Sequence, residues 1–196
     1  RNGIVVVPPE RNDCMGCHQS MEPPFKLPPA VAKGPINAAP SIYGFEIRGI
    51  TIDGFVNNGL FTERVDGCKI IDVESTGNRN YGIFPTVSKN GLISHSRASG
   101  SDDSGIWVET SENVRVTHNV VEDNVNGFEV SNSDDIVLEG NVARGNTVGM
   151  AILFLPDIFD VRPDARRITI RGNHLHDNNR PNTAGPGAIL ATVPPG

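Results

Sequence analysis

The chain has no apolar stretch near the roughly 18 residues that a membrane-spanning helix needs, and no runs of Ala, Leu, Glu and Lys that would favour long helices. It has no excess of positive charge either. Its 17 Lys and Arg face 23 Asp and Glu, for a formal net charge of −6. Nucleic acid and anionic lipid surfaces, which need a basic patch, are therefore not expected partners. Three cysteines are too few for a disulfide framework. Arg1 opens no recognisable signal peptide, so the chain reads as a mature form or a fragment. What is abundant is Gly and Asn, with Val and Ile each outnumbering Leu across 196 residues. That composition predicts short strands joined by tight turns, in one domain over residues 1–196.

A repeat organises those strands. Gly59-Leu60-Phe61, Gly82-Ile83-Phe84, Gly105-Ile106-Trp107, Gly127-Phe128-Glu129 and Gly149-Met150-Ala151 follow one another at spacings of 23, 23, 22 and 22 residues. A second column, Ile70, Ile93, Val116, Leu138 and Ile170, keeps nearly the same period, as does a third, Asn78, Ser101, Asn124, Asn146 and Asn178. A unit of about 22 residues that cannot bury its own apolar face must stack on its neighbours. The expected fold is therefore all-β: a right-handed, single-stranded parallel β-helix with a Pro-rich N-terminal insertion. Strand alternation points Val114 and Val116 inward and places Cys68 with Val114 and Ile136 as a small buried hydrophobe. A polar column of Val73, Ser96, Asn119, Asn141 and Asn173 is expected at a corner, with stacked amides bonding along the solenoid and the Asn residues taking the left-handed backbone of the turn.

Two segments break the period. Residues 8–40 are rich in Pro and hold Cys14, Cys17 and His18, and residues 155–167 insert about ten residues between coils. The chain closes on Pro194-Pro195-Gly196 without a capping element, and the solenoid is expected to continue beyond it.

From about Ile47 onward the sequence resembles bacterial right-handed parallel β-helix repeat proteins of the exported, lipoprotein type. The resemblance lies in Asn58-Gly59-Leu60-Phe61, Asn80-Tyr81-Gly82-Ile83-Phe84-Pro85, Asp103-Ser104-Gly105-Ile106-Trp107-Val108 and Ala191-Thr192-Val193-Pro194-Pro195-Gly196. It implies a pectin-lyase-like fold and an extracytoplasmic location (periplasm, cell surface or secreted), and supplies no established activity. More distantly the repeats are similar to pectate lyases, polygalacturonases and alginate C5-epimerases. Asp102-Asp103 resembles the paired aspartates of polygalacturonases, but the Gly-His-Gly and Arg-x-Lys elements that accompany them there are missing, as is the Asp-Pro-His-Asp motif of the epimerases.

Candidate sites follow from the columns. Alternation puts Phe61, Phe84 and Trp107 on one exterior face, one per coil, with Glu129 next. These aromatics fit a sugar-stacking platform with Glu109 and Glu129 as acid and base, or Asp102 or Asp103 as base. They also fit a face covered by the Pro-rich insertion, because an open apolar strip is a liability, and the insertion can then form one wall of a cleft. Asp72, His95 and His118 share a column before the Asn corner, where neutral imidazoles hold a metal or relay protons if they are not simply solvated corner residues. Cys14-Met15-Gly16-Cys17-His18 matches the attachment pattern of c-type haem. A disulfide or metal clip on the loop uses the same residues. Asp102, Asp103, Asp134 and Asp135 suit turns, and acidic turns also hold Ca²⁺ through oxygen. These readings converge on an exported protein that binds or modifies a polysaccharide, with a uronic-acid polymer as one substrate class. The alternatives are a non-catalytic envelope scaffold that holds a protein partner, and a haem or metal carrier.

Overall fold

The computed structural model describes residues 2–7, 42–155 and 164–181. The Pro-rich segment with Cys14, Cys17 and His18, most of the 155–167 insertion and the closing Pro194-Pro195-Gly196 lie outside the described residues.

Among the described residues, eighteen short strands follow one another in triplets, one triplet per coil. The first coil holds β1 (Ile4–Val6), β2 (Ile42–Tyr43) and β3 (Glu46–Asp53), and the second β4 (Leu60–Glu63), β5 (Val65–Asp66) and β6 (Lys69–Thr76). The third holds β7 (Ile83–Thr86), β8 (Lys89–Ser94) and β9 (Arg97–Ser99), and the fourth β10 (Ser104–Glu109), β11 (Glu112–Thr117) and β12 (Val120–Glu122). The last two hold β13 (Asn126–Ser131), β14 (Asp134–Glu139) and β15 (Val142–Arg144), then β16 (Val148–Leu153), β17 (Thr169–Arg171) and β18 (His174–His176). The first strands of the triplets form a six-stranded parallel sheet, and the others form a second sheet of twelve strands that bends at a corner. Each coil pairs only with the coils before and after it, which makes the chain a parallel β-helix.

The core runs as aliphatic columns through the middle. Ile70, Ile93, Val116 and Leu138 stand opposite one another in register and are buried, while Ile170 at the end of that column is half exposed. Cys68 is buried in the same cluster, and burial pushes its thiol up to about 11, so it stays protonated.

Among the described residues, ladders of side chains bond along the solenoid at its corners. Asn141 illustrates the first: its Oδ1 accepts from Asn119 N at 2.9 Å, and its Nδ2 donates to Val116 O at 2.8 Å and to Asn173 Oδ1 at 2.9 Å. Asn124, Asn146 and Asn178 repeat that arrangement at another corner. A serine ladder, which the sequence columns above do not include, runs Ser88, Ser111, Ser133, each backbone N–H donating to the next coil's hydroxyl at 3.0–3.1 Å.

The left-handed backbone falls one residue before the Asn corner, not on it. Asp72, His95, His118, Gly140 and Gly172 all have φ between 51° and 64°. The Asn side chains are instead needed inside, where they cap backbone groups that the bend leaves unpaired. The Gly column has a different cause. A Cβ on Gly105 would sit 2.7 Å from Asn124 Nδ2, and one on Gly127 2.5 Å from Gly149 O, so the Asn ladder requires glycine beside it.

Replacing Asn141 with Ala removes the partners of Asn119 N–H and Val116 O on the preceding coil and one of the two donors to Asn173 on the next, and is expected to cost about 3 kcal/mol. Urea melts of Asn141→Ala beside the parent chain measure this. A loss comparable to that of an exposed Asn substitution would contradict the structural role of the ladder.

Candidate functional site

The outer face of the six-stranded sheet gathers buried aromatic and polar side chains. Register places Phe61 opposite Phe84, and Trp107 opposite Glu129. Phe84 and Trp107 stack with ring centroids 4.5 Å apart and planes within 5°, close to the spacing of the strands that carry them. Tyr81 meets both rings edge-on, at 4.8 and 4.6 Å. These aromatics are outside the solenoid yet not exposed: Trp107 retains 1% of its surface, Phe84 1% and Phe61 none. Val7 and Leu155 are described side chains that pack against them. Trp107 Nε1 donates to Ser131 Oγ at 2.8 Å, which fixes the ring.

Beside this stack stand Asp103, Ser104, Asn126 and Glu129, all buried. Ser104 Oγ lies 2.5 Å from Glu129 Oε2 and 3.3 Å from Asp103 Oδ1. Asn126 Nδ2 donates to Glu129 Oε2 at 3.1 Å and reaches Asp103 Oδ1 and Ser104 Oγ at 3.3 Å. A hydroxyl carries one proton, so Ser104 cannot serve both carboxylates at once when both are ionised. The Glu129–Ser104–Asp103 chain is complete when Glu129 is protonated and donates to Ser104, which then donates to Asp103. Burial is the main force here. It pushes Glu129 up to about 7 and Asp103 up to about 6, against the lowering effect of their hydrogen bonds. Burial also holds the Tyr81 phenol well above its ordinary range, with the charges of Asp103, Glu129 and Glu109 adding to it.

The remaining sequence candidates are placed as follows. Glu109 is on the same face, buried, and accepts from Thr86 Oγ1 at 2.6 Å; its cross-strand partner is Ser131 rather than Glu129. Asp102 does not join the site. It is exposed and lies 3.8 Å from Arg79, while the next residue, Asp103, is buried, so the adjacent aspartates do not act as a pair. Asp134 and Asp135 begin a strand rather than occupy a turn, and Arg167 bridges them with contacts of 2.7–2.9 Å, which takes the oxygens a Ca²⁺ would need. Asp72, His95 and His118 lie on the left-handed corner, exposed; His95 and His118 stack at 5.3 Å. Asp72 and His95 line an open trough of about 480 Å³ with Glu74 and Arg97. Cys14, Cys17 and His18 lie outside the described residues.

Column reasoning missed Tyr81, Ser104 and Asn126. The signal was available, since each directly precedes a glycine of the repeat.

Glu129 and Asp103 bind protons more tightly folded than unfolded. They therefore stabilise the fold below their unfolded values near 4.5 and 3.8, and stability falls as pH rises through about 6 and 7. Urea melts between pH 4.5 and 8 should show this decline, and Glu129→Gln should flatten much of it. An unchanged slope in the variant would show that Glu129 does not titrate in this range.

Comparison with known proteins agrees with the architecture. No curated protein matches the chain. Among solved structures, a crystal structure of a mutant of the periplasmic alginate epimerase AlgG superposes with a TM-score of 0.55 at 20% identity. The match covers 71% of this chain and 40% of that one, so it spans less than half of the neighbour and speaks to the fold. Residues 40–186, most of the parallel β-helix described above, match the family described as periplasmic copper-binding protein (NosD), and the chain belongs to that family.

Proposed function

We propose that this is an extracytoplasmic β-helix protein that binds a polysaccharide on the outer face of the six-stranded sheet, with Glu129 exchanging a proton with it. The observation that carries this reading is the convergence of Asp103, Ser104, Asn126 and Glu129 beside the Phe84–Trp107 stack. A carboxyl group poised near neutral pH serves as general acid or base, and the closed Phe84–Trp107 stack beside it helps keep that carboxyl desolvated. The periplasmic description of the family and of the structural neighbour supports the location. The neighbour's name as an alginate epimerase supports the polysaccharide class, although fold alone does not transfer a reaction.

Copper, which the family description names, does not fit the described residues. No group of three or more His, Cys, Asp and Glu side chains among them converges to hold a metal ion. Copper favours imidazole and sulfur ligands. Cys68 is buried among aliphatic side chains, His95 and His118 stack on each other, and His176 Nδ1 is engaged by Asp177 at 2.8 Å. No chemical step is therefore assigned to a metal here.

The scaffold alternative calls for a broad, open apolar strip. The strip of Phe61, Phe84 and Trp107 is closed, which favours the site reading over it.

The test is a panel of neutral, cationic and uronate oligosaccharides read by Trp107 fluorescence, with product analysis on any that bind. Binding that shifts the emission is expected, and Glu129→Gln should cut any turnover by about 100-fold or more. A panel that neither changes the emission nor is changed chemically would refute the proposal.

A further inference from the structure

Two buried acceptors at this site have no donor. Glu129 Oε1 and Asn126 Oδ1 each lack a hydrogen-bond partner. Glu129 is 1% exposed and Asn126 fully buried. The other halves of the same groups are bonded to each other, Asn126 Nδ2 to Glu129 Oε2, so the amide cannot be turned to serve its own oxygen without breaking that bond. Leaving a buried acceptor unmet costs on the order of 1–3 kcal/mol. A pair of them beside Asp103 and Glu109 is a demand for donors, preferably charged ones.

We infer that the site takes an amino sugar with a free ammonium group, whose N–H bonds are received by Glu129 Oε1 and Asn126 Oδ1. This rests on the polysaccharide reading and names its substrate class. An ammonium brings three donors and no acceptor, and its charge is opposite to that of Asp103, Glu109 and Glu129. A uronate brings the reverse: acceptors set against acceptors and a like charge in a desolvated place, which is strongly unfavourable. An N-acetylated sugar keeps one N–H, loses the charge and adds a carbonyl that finds no partner in the pair.

The chemistry predicts a proton signature as well. A bound ammonium favours ionised Glu129, so at pH 6, where Glu129 is mostly protonated, binding should release a proton from the protein.

The experiment is calorimetric titration of the full chain with oligomers of glucosamine, N-acetylglucosamine and galacturonate at pH 6, in two buffers of different ionisation heat. Trp107 emission is followed in parallel. The expected result is glucosamine binding at least about tenfold tighter than either of the others. Proton release is expected in the parent and should be lost in Glu129→Gln. Glu74→Gln, on the other sheet, should bind as the parent does and so controls for attraction to the net negative charge. Galacturonate or N-acetylglucosamine binding as tightly as glucosamine, with a Trp107 response, would overturn the inference and leave the polysaccharide reading in place. So would glucosamine binding that Glu129→Gln does not weaken. Silence from all three oligomers would overturn both.

Discussion

The registered stacking of one coil on the next is the constraint from which the remaining features descend. Each coil must give its backbone N–H and C=O groups to two neighbours, and at the corners, where the bend interrupts the ladder, side chains have to replace them. The Asn119–Asn141–Asn173 and Asn124–Asn146–Asn178 runs do this with both ends of each amide. Once such a ladder is in place, an insertion or deletion of one residue within a strand would misplace every ladder above it. Additional chain can enter only between complete elements. The ladder spacing widens from 22 residues between Asn119 and Asn141 to 32 between Asn141 and Asn173, yet the bonds on both sides of the gap are the same.

The same constraint makes an outward face available for function. Inward positions of the six-stranded sheet are committed to the core by Ile83, Ile106, Val108, Phe128 and Val130. Outward positions carry no such obligation, and there the column changes character along the solenoid, from Phe61 and Phe84 through Trp107 to Glu129 and Ala151. The change from ring to carboxylate occurs where Ser104 and Asn126 also enter the face. Stacked aromatics at the strand spacing exclude water from the neighbouring coil. A carboxylate set beside them is raised by desolvation without a specific acidic partner being necessary.

The architecture was legible in the sequence because three features shared a period, and a parallel β-helix is the arrangement that lets such features form columns. The inward assignment of Val114, Val116 and Ile136 follows from strand alternation, and the period brings the corner amides into columns that bond along the solenoid. The site was legible only in part. Glu129 and Glu109 were placed on the correct face, but alternation says which way a side chain points and not whether chain from elsewhere lies over it. Burial of Trp107 at 1% is thus a tertiary fact. Asp102 and Asp103 show a second limit, since adjacency suggests a pair while one side chain is exposed beside Arg79 and the other is buried beside Ser104. The left-handed corner was assigned to Asn by propensity. The structure puts His95 and His118 there, because the amides are needed one residue later to bond along the solenoid.

Among the described residues, the β-branched side chains on left-handed backbone fall along one edge of the outer face of the six-stranded sheet. Arg64, Val87, Thr110 and Asn132 occupy the corner at the end of the six-stranded sheet with φ between 42° and 57°. For the β-branched Val87 and Thr110 this conformation is costly, on the order of 1–3 kcal/mol each. The following residues explain how it is sustained. Ser88 and Ser111 donate their hydroxyls back to Thr86 O at 2.8 Å and Glu109 O at 2.7 Å, and each hydroxyl also receives a backbone N–H from the coil before. The turn is held from both sides, so its geometry does not depend on the corner residue's preference. Glu109 comes immediately before the strained Thr110, and its buried carboxylate accepts from Thr86 Oγ1 at 2.6 Å. A solenoid that can hold unfavourable corners through its serine ladder can also hold unfavourable carboxylates in a desolvated row. The outer face of the six-stranded sheet does both on adjacent residues.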